Sequence, residues 1–158
     1  MKSIVLFVAV AIIGYFGYRH LSASNSIADP VYGEVRVDIR IGPREIEAAA
    51  FGRFSDADDC RQRNERFSAH LRDNCTFCKI KSAECKATLA TRYLKFFDDQ
   101  PSHATYLSFN HSKPWERDVR FILWGLTGAE GDAVCEQMRQ VIAKAVGTSS
   151  QCIRGLAS

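Results

Sequence analysis

The chain has 158 residues, 46% hydrophobic and 25% charged, the ordinary proportions of a globular protein with room for one domain and an appendage. Its formal net charge is +3, falling to +2 without the first 30 residues, too slight for the strongly basic face that nucleic acid requires. A domain over residues 31–158 can bury roughly two-thirds of its unfolded surface, so disulfides would reinforce a core rather than stand in for one.

Met1-Lys2-Ser3 precedes an uncharged apolar run, residues 4–18, which Arg19 and His20 close. The run is read as an uncleaved anchor over residues 1–20, with Tyr15, Tyr18 and Arg19 suited to the membrane interface. The alternative is a cleaved signal peptide and a secreted domain, with Ser22-Ala23-Ser24 as the small residues before the cut. Residues 21–30 are small and polar and read as a flexible tether. Lys2 and Arg19 leave the orientation nearly balanced, so the cysteines decide it. An even number behind a targeting segment fits an oxidising compartment, placing residues 31–158 on the extracytoplasmic, periplasm-like side.

From Glu34 to Ile41 apolar and charged residues alternate, with Val35, Val37, Ile39 and Ile41 on one face, which predicts a half-buried strand. Gly42-Pro43 supplies a turn and Glu45 to Phe54 a returning strand. Ser55, three residues before Asp58, resembles a capping box and opens a helix to about Arg72, with Ala57, Cys60, Phe67 and Leu71 as its apolar stripe. Phe77 to Lys81 reads as a third strand. Cys85 to Asp99 reads as a second helix, with Leu89, Tyr93, Phe96 and Phe97 on one face.

The pattern then recurs. Ala104 to Asn110 and Arg117 to Trp124 read as strands, and Thr127 with Glu130 forms a capping box. Val134, Cys135, Met138, Val141, Ile142 and Ala145 line the helix that follows, Gly147 ends it, and Gln151 to Leu156 is the last strand. Arg44-Glu45-Ile46 with Gly52 matches Arg117-Asp118-Val119 with Gly125 at a constant offset. The expected fold is α+β: two related β-β-α-β units joined by a central helix, with the sheet on one side and helices on the other.

Six cysteines allow 15 pairings. If a helical cysteine faces one a few residues into the next, antiparallel strand, Cys60 pairs with Cys78 and Cys135 with Cys152, leaving Cys75 and Cys85 to bracket the third strand. Two sharper chemistries compete with structural bonds. Cys75-Thr76-Phe77-Cys78 has the spacing of a dithiol redox site, although it follows a helix and such sites favour a helix N-terminus. His70, Cys75, Cys78 and Cys85 could form a tetrahedral zinc site, although the spacings outside the x2 gap match no common module.

His20, His70, His103 and His111 have no motif around them. Asp58-Asp59 and Asp98-Asp99 lie at helix ends, Arg61, Arg63 and Arg66 read as a solvated face, and Gly125 to Gly128 punctuates a strand-to-helix turn. The connection from His111 to Glu116 is longer than Gly42-Pro43, and its His111, Lys113 and Trp115 form a candidate contact loop. Ile122 and Trp124 point away from Val119, Phe121 and Leu123, so either helices cover both sheet faces or an apolar patch awaits a partner. The reading is a membrane-tethered, non-catalytic module without cofactors that acts through an envelope protein partner. The alternative is a thiol-disulfide or zinc-binding protein built on Cys75 and Cys78.

Overall fold

The computed structural model describes Ile27, residues 29–109, 118–146 and 150–156. The expected anchor and most of the tether lie outside the described residues. No helix among the described residues is long and apolar enough to cross a membrane.

The alternating segment forms β1 (Val31–Ile41), and the chain turns back as β2 (Arg44–Phe54) in an eleven-pair antiparallel hairpin. Gly42 takes φ +59 and Pro43 follows, the sign pattern of a II′ turn, whose twist matches that of the strands it joins. Helix α1 (Ala57–Asn74) is capped by Asp56, whose carboxylate accepts from the Asp59 N–H at 2.8 Å; Ser55, expected as the cap, donates to Asp56 instead. Strand β3 (Cys78–Lys86) runs five residues beyond its expected end, so Cys85 lies in a strand rather than in a helix. The central helix shrinks to α2 (Thr91–Leu94) and one 3-10 turn (Lys95–Asp98), closed by Asp99 at φ +52.

Strands β4 (Tyr106–Phe109) and β5 (Val119–Trp124) lead into helix α3 (Gly128–Val146), and β6 (Ser150–Ile153) follows. The capping box forms reciprocally: Thr127 N–H donates to Glu130 at 2.8 Å, and Glu130 N–H donates to the Thr127 hydroxyl at 3.3 Å. Ala145 and Gly147 fall outside the residues whose side chains are described.

All described pairings are antiparallel, in the order β3-β1-β2-β5-β4-β6. Exchanging β1, β2 and β3 with β4, β5 and β6 leaves that order unchanged, and β2 and β5 join the halves at the centre. The layering differs from the expected two layers. Cys60, Phe67 and Leu71 of α1 and Cys135, Met138 and Ile142 of α3 pack on one sheet face, against Val35, Val37, Ile39, Leu107, Phe109, Val119 and Phe121. On the other face Leu89, Tyr93, Phe96 and Phe97 cover Ala49, Phe51, Tyr106 and Ile122. Ile122 therefore has its cover within the chain. A strand apolar on both faces needs both faces buried, and the aromatic segment 89–97 supplies the second layer.

Candidate functional site

All six cysteines are bonded: Cys60–Cys85, Cys75–Cys78 and Cys135–Cys152. The third bond is the one expected from the sequence. The other two correct the expected Cys60–Cys78 and Cys75–Cys85. Cys60 sits in the first turn of α1, not midway along it, and α1 runs antiparallel to β3. Fourteen helical residues back from Asn74 span about 21 Å. Seven strand residues on from Cys78 span about 23 Å. The helix start therefore lies over the strand's far end, where Cys85 is.

A bulge completes the geometry. Arg36 pairs with Ser82 but Val37 pairs with Ile80, leaving Lys81 as an extra residue in β3. Without it, Cys78 and Cys85, seven apart, would point to opposite faces. With it, Cys78, Ile80, Ala83 and Cys85 all face α1, opposite Ile39, Val37, Val35 and Gly33. Gly33 is needed there, because an added Cβ would lie 2.7 Å from the Phe54 ring, 2.9 Å from Asn64 Oδ1 and 3.3 Å from Cys60 Sγ.

The Cys75–Cys78 bond closes the corner between α1 and β3. Cys75 is the C-cap of α1, its N–H donating to Leu71 O at 2.9 Å, and Cys78 N–H donates to Cys75 O at 3.2 Å. Cys75 is buried and Cys78 half-buried, at the start of an outer strand of the sheet. Arg72 and Lys79 flank the corner, both exposed, with exposed Asp73 beside them. The expected zinc set is not assembled: its three sulfurs are in disulfides, and His70 Nδ1 lies 3.3 Å from Asn74 Nδ2.

Sequence reading missed two arginine networks on the second sheet face. Arg36, placed on a solvent-facing row by the alternation, donates to Glu34 at 2.6 Å, Glu47 at 2.5 Å and the Tyr93 hydroxyl at 2.7 Å. Its guanidinium also lies over the Tyr93 and Trp124 rings. Glu34 is buried, which pushes its carboxyl up, but hydrogen bonds from Lys86 and Arg36 outweigh burial and leave it below the ordinary value. Arg120 is 1% exposed and donates to the carbonyls of Phe96 at 2.6 Å, Phe97 at 3.3 Å and Val119 at 3.1 Å, with Asp99 at 3.2 Å. It collects carbonyls at the end of the 3-10 turn and pins that segment to β5. Asp99 also accepts from Ser108 and Gln151. Tyr106 donates to Gln100 O, and burial together with the Asp99 carboxylate pushes its phenol up to about 12.

The remaining candidates disperse. His111, Lys113 and Trp115 lie outside the described residues, as does His20. His103 is exposed, far along the chain from His70. Asp58 pairs with Arg61, both exposed, whereas Arg63 is 3% exposed and bonds Asp59 at 3.2 Å, which corrects its placement on a solvated face. Gly125 takes φ +85 at the turn after β5, and its carbonyl accepts from Arg44, which also clasps Glu130. Comparison with family models, with curated proteins and with solved structures found no match to this chain.

Proposed function

We propose that this chain is a membrane-tethered, extracytoplasmic module, non-catalytic, that acts by contact with an envelope protein. The observation that carries the reading is that all six cysteines are bonded in three pairs, a state that persists in an oxidising compartment. The apolar run of residues 4–18 supplies the anchor and residues 21–30 the tether. On this reading the two halves of the sheet derive from one β-β-α-β unit, and the connection between β4 and β5 carries the contact residues His111, Lys113 and Trp115.

Fractionation with protease protection tests the address. A C-terminally tagged chain should stay with carbonate-washed membranes and lose its tag to protease added before the inner membrane is broken. A tag protected until lysis would overturn the orientation, and release from washed membranes would favour the secreted form. A photo-crosslinker at Lys113 of the full chain should give an adduct that Trp115→Ala and His111→Ala abolish. Adducts unchanged by both substitutions would remove the contact loop from the reading.

A further inference from the structure

We infer that the Cys75–Cys78 pair is a thiol–disulfide exchange site, whose co-reactant is the dithiol of a partner protein. The comparison of the two halves points to it. Each half has one bond fastening its helix to its last strand, Cys60–Cys85 and Cys135–Cys152, and each of these uses a helix sulfur sealed in the core. The third bond has no counterpart, since Gly147-Thr148-Ser149 between α3 and β6 contains no cysteine. It spans three residues and joins only the end of α1 to the start of β3, where the chain itself already connects them.

Bonds other than the disulfide hold this corner: the Cys75 N–H caps Leu71 O, the Arg40 N–H donates to Phe77 O at 3.0 Å, and Cys78 pairs with Ile39. Opening either of the others frees a sulfur of the main core cluster, to which the buried Cys75 does not belong. A bond that is to cycle must open locally, without global unfolding, and this corner meets that condition.

The two sulfurs have different exposures and hence different roles. The half-buried Cys78, at the start of the outer strand β3, is the one an incoming thiolate reaches. That thiolate attacks Cys78 Sγ, the Cys75–Cys78 bond breaks, and Cys75 leaves as a thiolate that takes up a proton. The partner's second thiolate then attacks its own sulfur in the mixed disulfide and releases Cys78, which is protonated in turn. Two electrons and two protons have moved from the partner dithiol to the pair, and the partner is left with a disulfide. The pair is oxidised in the structure, and once reduced it passes its electrons on to the disulfide of a second protein.

The inference goes beyond the contact reading and has its own test on the purified full chain in detergent. Limiting dithiothreitol, trapping by alkylation and peptide mapping should show Cys75 and Cys78 reduced at least about tenfold faster than the other four, with circular dichroism unchanged. Three bonds opening together with loss of structure, or another bond opening first, would overturn the site. Single variants separate exchange from fraying: Cys75→Ser should form a mixed disulfide with oxidised glutathione at least about tenfold faster than Cys78→Ser. Equal rates, or a faster Cys78→Ser, would overturn the assigned roles. Neither negative result touches the membrane address. A positive one replaces the non-catalytic clause of the contact reading and leaves the rest.

Discussion

In the first half of the sheet, β3 has nine residues and runs beside the whole of α1; in the second, β6 has four and reaches only part-way along α3. The covalent link follows strand length. Cys60 in the first helical turn joins Cys85 near the end of the long strand, and Cys135 in mid-helix joins Cys152 in the short one. The second sheet face differs as well. Arg36 in the first half is 22% exposed along its side chain and bonded to carboxylates, whereas Arg120 in the second is sealed and bonded to backbone carbonyls. Connectivity alone therefore does not fix where a link or a charge belongs. The length of each strand and the cover over each face do.

Replacing Arg120 should break the second half most severely. Arg120→Ala removes the buried guanidinium that bonds the Phe96 and Phe97 carbonyls and pairs with Asp99, and should cost about 3–5 kcal/mol in denaturant unfolding. Arg36→Ala, partly screened by water, should cost about 1–2 kcal/mol. Equal costs would erase the difference drawn between the two faces.

The two helix-to-strand links should be close in worth despite their different placement. Closing loops of 25 and 17 residues predicts about 3.5 and 3.1 kcal/mol for Cys60→Ala/Cys85→Ala and Cys135→Ala/Cys152→Ala, against about 1.6 for the three-residue Cys75–Cys78 loop. Melting of the three double variants ranks them. If the third were the most damaging, the corner would be part of the framework and not an appendage to it.

Gly33→Ala sharpens the account of the first half. Its Cβ would press on Phe54, Asn64 and the Cys60 sulfur, at a cost of about 1–3 kcal/mol. Gly128→Ala, at the start of α3 with nothing within 4 Å of the added Cβ, should stay within about 0.5 kcal/mol. A neutral Gly33→Ala would mean that the disulfide does not lie against β1 as described.

The smallest effect is pH-dependent and ties the first hairpin to α3. Hydrogen bonds from Arg44 and from Thr127 hold the Glu130 carboxyl down at about 2. A carboxyl depressed on folding stabilises above its ordinary value of about 4.3, and that contribution is lost as pH falls towards 2. Wild type should therefore melt slightly above Arg44→Ala at pH 7, and the gap should close by about pH 2. A gap that stayed constant would assign the effect to packing.

Much of the architecture was legible because it is written in local periodicity. The strict alternation of Val35, Val37, Ile39 and Ile41, the Thr127–Glu130 box and the spacing of Tyr93, Phe96 and Phe97 each depend on neighbours within a few residues. The expected third strand stopped too soon at Lys81 and the expected helix began too soon at Cys85 because Ser82-Ala83-Glu84-Cys85-Lys86 has little apolar pattern of its own; its pairing with β1 makes it a strand. Arg120 carried no signal either, since Val119-Arg120-Phe121-Ile122 reads as an ordinary strand until the carbonyls of a turn more than twenty residues earlier meet it.

The sequence by itself located most of the elements and their order in two similar sets, properties of spacing along one helix or strand, and its pairing rule reached the Cys135–Cys152 link but not Cys60–Cys85. Tertiary structure decided which cysteines meet in the first half, because the extra residue at Lys81 reverses the faces of β3, and a bulge is defined only against a partner strand. It also decided that helical segments cover both sides of the sheet. Burial is a relation between segments distant in the chain, and periodicity can show that a face is apolar without showing what will lie on it.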